Sequence, residues 1–193
     1  KVAMIIDQDL LSFNEDYRVI REAKTLLKAD YEVTVFCWAR GLDKYETRWE
    51  EEKSGIKVVR IFQEEAEGFF SKGKSVRKAM SQIVRKIEEY VPDIIHAHNF
   101  ETLEAATEAA QFNGAKLIFD IHEDITAMKE KKGWFLGKNY AKMQNSLLEK
   151  VDAVITPSDE LASEIENSII LFNSESEKNI EKLVENHRFG LNG

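Results

Sequence analysis

Polar side chains suited to acid–base chemistry, metal binding or sugar binding follow several apolar runs of this sequence directly. They are Asp7 and Asp9, then His96, His98 and Asn99, then Asp120, His122, Glu123 and Asp124, and finally Thr156 and Ser158. The apolar runs predict buried strands, and ligands of an open parallel sheet bind in the crevice outside the carboxyl ends of its strands. The sequence therefore predicts a polar binding site along one edge of a sheet.

Asp7 and Asp9 follow the first apolar run in the pattern Asp-x-Asp, which phosphoryl-accepting enzymes use to place a nucleophile beside a general acid. That chemistry also needs a later Ser or Thr, a Lys and a final acidic pair that holds Mg²⁺. The segment "FDIHED" supplies acids, but the order of elements differs and no glycine-introduced acidic motif follows. We therefore interpret the pair as the polar lip of a cleft, and keep a magnesium-dependent hydrolase as an alternative.

His96 and His98 lie at i and i+2, which places both on one face of a strand, and His122 follows a second apolar run. Three imidazoles in this arrangement suit a transition metal. The alternative is that they are polar residues satisfied by hydrogen bonds at strand ends, which we favour because neither a cysteine nor a helical histidine pair accompanies them. We therefore expect no metal cofactor.

The composition favours one globular domain and disfavours a nucleic-acid partner. The 193 residues are 43% hydrophobic and 32% charged, which suffices for one buried core. The net charge of −8 is spread along the chain, whereas a nucleic-acid site needs a basic surface. The single cysteine, Cys37, cannot form an internal disulfide, and no apolar run reaches the about 18 residues of a membrane-spanning helix. We therefore expect a protein of the reducing cytoplasm.

Short apolar runs alternate with helical patterns, which predicts an α/β fold. The runs are "VAMII", "EVTVFCW", "IKVVRIF", "DIIHAH", "KLIFDIH", "AVITPS" and "IILF". We expect a Rossmann-like, doubly wound, mostly parallel sheet of about seven strands with helices on both faces. Residues 39–55 have no clean period and are expected to form an exposed connection that ends in a turn at "KSG". The loop after the first run contains no glycine, which disfavours a dinucleotide-dependent enzyme.

Three blocks of the sequence resemble glycosyltransferase family 4. The first, "EDYRVIREAKTLLKADYEVTVFCW", is similar to the family's Asp-x-Arg helix and second strand. The second, "PDIIHAHNFETLEAATEAAQFNGAKLIFDIHE", resembles the block that ends in the family's Asp-x-His-Glu motif and is the most specific. The third, "LLEKVDAVITPSDELASEI", is similar to the helix, strand and Ser cap that close the family's first domain. The resemblance covers residues 1–173 and implies the N-terminal, acceptor-side half of a GT-B glycosyltransferase.

In that family two Rossmann-like domains face each other across a cleft, the first holding the acceptor and the second the nucleotide-sugar. The resemblance places His122 against the transferred sugar as the catalytic residue. An imidazole there can hydrogen-bond a sugar hydroxyl and support the charge of an oxocarbenium-like transition state. The residues that the resemblance implies for substrate binding are Asp16, Arg18, His98, Asn99, Glu101, Glu123, Asp124 and Ser158. The alternative for these residues is structural, as strand-end hydrogen bonds or acids that favour a helix dipole.

The family's donor-binding domain has no counterpart in residues 174–193, for which we expect a helical tail or the start of that domain. The chain alone is therefore expected to be inactive, and to act as part of a longer or two-part hexosyltransferase in polysaccharide or glycolipid assembly. The resemblance implies transfer without a metal. A non-catalytic module that binds a glycan or a partner protein is the main alternative, and a homodimer is left open.

Two segments combine aromatic residues with lysines, as peripheral membrane contacts do. Phe69 and Phe70 precede several cations, and Trp134 and Phe135 lie among lysines. Each cation near an anionic surface contributes on the order of 1 kcal/mol to binding. These segments suit a lipid-linked acceptor at the inner face of the membrane. The alternative is that the aromatic rings pack on the core or on a second domain.

Overall fold

The computed structural model describes residues 1–11, 17–64, 69–122, 146–156 and 168–170, and these ranges contain eight strands and three helices. The strands are β1 (Val2–Ile6), β2 (Val33–Trp38), β3 (Glu50–Lys53), β4 (Ile56–Ile61), β5 (Ile94–His98), β6 (Lys116–Asp120), β7 (Ala153–Thr156) and β8 (Ser168–Ile170). The helices are α1 (Tyr17–Lys28), α2 (Phe69–Tyr90) and α3 (Phe100–Asn113). Among these helices, none has both the length and the apolarity to cross a membrane.

The eight strands form one sheet in the order β3-β4-β2-β1-β5-β6-β7-β8. The neighbouring strands run parallel, apart from the antiparallel pair of β3 and β4. From β1 the chain winds outward first through β2 and β4 and then through β5 to β8, so the winding reverses between β1 and β5. The predicted doubly wound, mostly parallel α/β sheet is confirmed, and its ligand crevice is expected at the carboxyl ends of β1 and β5.

Both faces of the sheet are covered, which explains why β1, β2 and β5 are buried at every position. Successive side chains of β1 point to opposite faces, so Ala3 and Ile5 pack with α2 and α3, whereas Val2, Met4 and Ile6 pack with α1. The fold therefore has two core layers, one on each side of the sheet. The α1 layer also lies against β5, and this contact positions the candidate site described below.

The segment expected to be an exposed connection instead contains β3, which raises the strand count from about seven to eight. β3 pairs with β4 through backbone hydrogen bonds while its side chains stay mostly exposed, so it carries no hydrophobic signal. The predicted turn is present, because Ser54 and Gly55 join the two strands with φ of 55° and 82°. These two positive φ angles fit the type I′ hairpin turn. The glutamates of β3 also discourage pairing of this sheet edge with another chain.

Several predictions fall outside the described residues. They are the roles of Asp16, Glu123, Asp124 and Ser158, the aromatic pair Trp134 and Phe135, and the form of residues 174–193. Phe69 and Phe70 form the first turn of α2, and their side chains also lie outside the described part of the structure.

Candidate active site

The carboxyl ends of β5 and β6 bring two histidines and an aspartate together. His98 is paired in register with Asp120, and His96 lies two residues earlier on the same strand face. The ring centroids of His96 and His98 are 4.2 Å apart. Because Met4, the register partner of His96, belongs to the core layer under α1, both histidines face that helix. We call the six residues that meet here the histidine–carboxylate cluster: Arg18, Glu22, His96, His98, Asp120 and His122.

Asp120 is the centre of the cluster and is fully buried. Its Oδ1 accepts a hydrogen bond from Nη2 of Arg18. Its Oδ2 lies 3.0 Å from Nε2 of His122 and 3.3 Å from Nδ1 of His98. Burial by itself raises the pKa of this carboxyl group, but hydrogen bonds from His122 and His98 and the charge of Arg18 outweigh burial and hold the pKa well below its usual range. Asp120 is therefore a permanent anion at neutral pH.

Arg18 links the two carboxylates of the cluster from the first turn of α1. Its Nε donates to Oε1 of Glu22, one helical turn later, over 3.2 Å, while its Nη2 reaches Asp120. Oε2 of Glu22 lies 3.8 Å from Nε2 of His96 and 3.9 Å from Nδ1 of His98. Removing one member of such a buried charge pair costs about 3 to 5 kcal/mol, because the other charge is left in a dry environment. The cluster thus ties α1 to the ends of β5 and β6.

His122 is the most exposed member of the cluster: 15% of its side chain is exposed, whereas Asp120 and His98 are fully buried. A carboxylate only accepts hydrogen bonds, so the ring nitrogen that faces it carries the proton. Asp120 therefore holds the Nε2–H tautomer of His122, in which Nδ1 is the acceptor of the neutral ring. In this tautomer Nδ1 of a neutral ring can accept a hydrogen bond but cannot donate one.

Asn99 joins three strands at the same edge in a strained backbone conformation. Its φ of 66° and ψ of 157° lie in a region that is almost confined to glycine and costs about 1 to 3 kcal/mol for other residues. Its backbone N–H donates to the carbonyl of Asp120 over 3.2 Å, and its Nδ2 donates to Oδ1 of Asp7 over 3.3 Å. Thr102 Oγ1 in turn donates to the Asn99 carbonyl. These contacts hold the entry to α3 in place beside the cluster.

The Asp-x-Asp pair has structural partners at this edge. Asp9 is buried, and its Oδ1 accepts from Nε of Arg60 while its Oδ2 accepts from the Leu11 backbone N–H over 3.0 Å. Arg60 also donates to Glu51. The Asp9 charge and, to a larger extent, burial raise the pKa of the neighbouring Cys37 thiol to about 12. A carboxylate paired with a buried guanidinium is a poor general acid, which is the role that Asp9 would have beside the nucleophile Asp7, so this geometry disfavours the hydrolase.

A divalent metal could in principle be held by Glu22, His96, His98 and Asp120, since one ligand atom from each lies within 4.8 Å of the others. Two imidazoles and two carboxylates form a donor set that suits zinc. The guanidinium of Arg18 nevertheless contacts both carboxylates and brings a positive charge to the position where a cation would be neutralised. The donor types therefore fit a metal, whereas the local charge opposes one.

The structure places five of the residues implied for the site and brings three of them together. Arg18, His98 and His122 belong to the cluster, Asn99 lies at its edge through Asp120, and Glu101 lies partly exposed in the first turn of α3. Their roles toward a substrate stay predictions.

Asp120 and Glu22 are central to the cluster but were not among the residues that the resemblance implied for the site. Two sequence signals point to them. Asp120 precedes His122 by two residues, and Glu22 follows Arg18 by four, which is one turn of a helix.

Comparison with known proteins identifies the family of the chain. The profile of "Glycosyltransferase Family 4" matches residues 17–170, which is most of the chain. No match was found among curated proteins. Among solved structures, the chain is similar to a sucrose-phosphate synthase chain from Thermosynechococcus elongatus, with 12% identity, a TM-score of 0.67, and coverage of 97% of this chain and 95% of that one.

Longer solved chains give the same fold. A second sucrose-phosphate synthase structure from that organism has 13% identity and a TM-score of 0.65, and the match covers 89% of this chain and 47% of that one. The Anabaena protein HepE, in complex with UDP and glucose, has 16% identity and a TM-score of 0.59, with 97% and 50% coverage. The present chain thus spans about half the length of these relatives. Its fold is that of one Rossmann-like half of the GT-B glycosyltransferases, and the chain belongs to glycosyltransferase family 4.

Proposed function

We propose that this chain is the acceptor-side half of a hexosyltransferase that moves a sugar from a nucleotide-sugar to a glycan or a lipid-linked acceptor. The observation that carries the proposal is the pair of Asp120 and His122, in which a buried anion orients a partly exposed imidazole at the ligand-binding edge of the sheet. Family membership supplies the reaction class. The pair supplies a group that can act on a sugar.

His122 would act on the transferred sugar through Nδ1. The neutral ring accepts a hydrogen bond from a hydroxyl group of the sugar. The Asp120 carboxylate behind it stabilises the positive charge that develops on the sugar as the bond to the leaving group breaks. Arg18, His98 and Asn99 would keep this pair in place and contribute to the acceptor side of the cleft. Asp16, Glu101, Glu123, Asp124 and Ser158 complete the proposed substrate-binding set.

The nucleotide-sugar would be bound by a second domain or subunit, so this chain alone would not catalyse transfer. The proposal is supported by the coverage of about half of the longer relatives, of which HepE was solved with UDP and glucose. The reaction would need no metal, because Arg18 already neutralises part of the negative charge of the cluster. Transfer should therefore be unchanged by a chelator such as EDTA.

We also propose that the protein works in the cytoplasm, peripherally at the inner face of the membrane, in polysaccharide or glycolipid assembly. The buried thiol of Cys37 suits a reducing compartment. Phe69, Phe70, Trp134 and Phe135, each near lysines in the sequence, would contact the bilayer that carries the acceptor. Sedimentation with phosphatidylglycerol vesicles, compared with phosphatidylcholine vesicles, tests this contact; equal binding to both or to neither contradicts it.

The rival function is a non-catalytic module that holds a glycan or a partner protein, alone or as a homodimer. Transfer from a panel of radiolabelled nucleotide-sugars to a membrane extract separates the two. The proposal predicts label incorporation by the complete gene product or by this chain together with its donor half, and none by this chain alone. The absence of transfer in every combination would favour the binding module.

A further inference from the structure

A polar cavity lies at the same edge of the sheet, away from the histidine–carboxylate cluster. It has a volume of about 810 Å³, within the range of small-molecule binding sites. The residues that line it come from the loop after β2, the segment after β4 and the first half of α2. They are Ala39, Gly41, Leu42, Asp43, Lys44, Tyr45, Phe62, Gln63, Glu64 and Lys78. We call this cavity the β2–β4 pocket.

The β2–β4 pocket offers an aromatic ring to a ligand. Tyr45 is 87% exposed, a high value for a large ring that lines a cavity. Its backbone N–H donates to Oδ1 of Asp43 over 2.7 Å, which fixes the local turn. Phe62, on the opposite segment, is only partly buried and packs against Trp49 with ring centroids 4.8 Å apart. Nζ of Lys44 lies over the Tyr45 ring, 5.1 Å from its centroid, so a bound molecule would place its C–H surface against the other face of this ring.

The polar groups of the pocket are balanced in charge. Asp43 and Glu64 supply two carboxylates, and Lys44 and Lys78 supply two ammonium groups. A phosphate or another multivalent anion would meet as many negative as positive groups, and so would a cation. An exposed ring beside several donors and acceptors, with no excess of either sign, instead suits a neutral polyhydroxylated ligand. That is the chemistry of an uncharged sugar.

The distance between the pocket and His122 limits which molecule could occupy both places. β2 and β4 lie three and four strands away from β6 in the sheet, which at about 4.8 Å per strand separates the pocket from the His122 side by about 14 to about 19 Å. A single sugar ring cannot touch both places. Both lie at the carboxyl edge, so one extended molecule along that edge can.

We propose that the β2–β4 pocket is a distal subsite for a neutral sugar unit of an oligosaccharide acceptor, several units away from the one that reacts. This inference rests on the proposed function and adds the length and charge of the acceptor. Tyr45 stacks on the ring of the distal unit, and the side chains of Asp43, Gln63 and Glu64 receive its hydroxyl groups. The subsite therefore selects acceptors that already carry several sugars.

Binding is tested on the complete 193-residue chain by NMR, with maltotetraose, cellotetraose, mannotetraose and chitotetraose as probes. At least one tetrasaccharide should shift the backbone amide signals of Gly41, Leu42 and Lys44, whereas its monosaccharide and inorganic phosphate should not. Tyr45→Ala should weaken this binding about tenfold, the size of one stacked aromatic contact. Phe112→Ala removes a ring that is 68% exposed at the far end of α3 and should leave binding unchanged.

The inference is overturned if no tetrasaccharide shifts these signals, if Tyr45→Ala and Phe112→Ala behave alike, or if phosphate displaces the sugar. An assay of transfer by the complete gene product, run beside this titration, separates this inference from the proposed function. Binding in the pocket without transfer by the complete gene product would leave the subsite standing and reject the enzyme. Transfer without binding in the pocket would support the enzyme and reject the subsite.

Discussion

Oδ2 of the fully buried Asp120 lies 3.0 Å from Nε2 of His122, which is partly exposed two residues later along the chain. The two side chains leave the end of β6 on the same side because successive residues of an extended chain alternate in direction. The other carboxylate oxygen of Asp120, Oδ1, accepts a hydrogen bond from Arg18, so both oxygens have partners. This relationship converts a strand-end histidine into an oriented group at a ligand-binding edge.

Asp120→Asn should lower the free energy of unfolding by about 3 to 5 kcal/mol, because it removes one of the two buried carboxylates that pair with the charge of Arg18. The measurement is urea unfolding followed by circular dichroism at neutral pH. Glu89→Gln is the control, since Glu89 forms an exposed pair with Lys86 and its loss should cost less than about 1 kcal/mol. A loss of stability in Asp120→Asn no larger than in Glu89→Gln would show that the cluster does not stabilise the fold.

Stability should fall in acid through Asp120. Its folded pKa lies below the unfolded value of about 3.9, so the unfolded state binds more protons as the pH drops. The stabilisation is present above that value and is lost as the pH falls toward the folded pKa. Urea midpoints measured from about pH 5 to about pH 2 should therefore fall more steeply for the wild type than for Asp120→Asn. Parallel slopes would contradict the lowered pKa.

Asn99 combines a strained backbone with a useful side chain, and two substitutions separate these effects. Asn99→Ala keeps the strain and loses the hydrogen bond to Asp7, so it should destabilise the protein by about 1 to 2 kcal/mol. Asn99→Gly loses the same hydrogen bond but relieves the strain. It should therefore be more stable than Asn99→Ala by about 1 kcal/mol. Thermal unfolding of both variants provides the comparison. Asn99→Gly less stable than Asn99→Ala would exclude backbone strain at this position.

The buried pair of Asp9 and Arg60 should show strong coupling. Arg60→Met leaves the Asp9 carboxylate buried without its guanidinium partner and should cost about 3 to 5 kcal/mol. The double variant Asp9→Leu with Arg60→Met removes both charges and should recover most of that loss. Urea unfolding of the two single variants and the double variant measures the coupling. Additive losses would mean that the two side chains do not stabilise each other, and would reopen the hydrolase interpretation of Asp7 and Asp9.

The sheet was predictable because burial on both faces leaves a direct mark on the sequence. The continuous runs of β1, β2 and β5 and their alternation with helical patterns could be recognised without a structure. β3 left no such mark, because an exposed edge strand such as "EEEK" pairs through its backbone while its side chains stay in water. Hydrophobic pattern therefore predicts buried strands well and exposed hairpin strands poorly.

The site was predictable in its location and only partly in its members. His98 and His122 stood out as polar residues at the ends of apolar runs, and the winding of the sheet explains why they meet. Which partner each would have depended on the register of β5 against β6 and on the rotation of α1, neither of which a pattern of residue types specifies. The Arg18–Asp120 contact, across 102 positions of the chain, is of this kind. Glu22 is buried one helical turn after Arg18 and pairs with it, which the pattern of apolar residues in α1 does not reveal.

The most direct test of the account is the rate of sugar transfer by the complete gene product when His122 is changed to Ala, with urea unfolding used to confirm that the variant is folded. The account predicts that His122→Ala loses transfer by a factor of about a hundred or more, the usual scale for a group that acts in the transition state, while still binding acceptor. A folded His122→Ala protein that transfers sugar at the wild-type rate would contradict it, and His122 would then be a structural partner of Asp120.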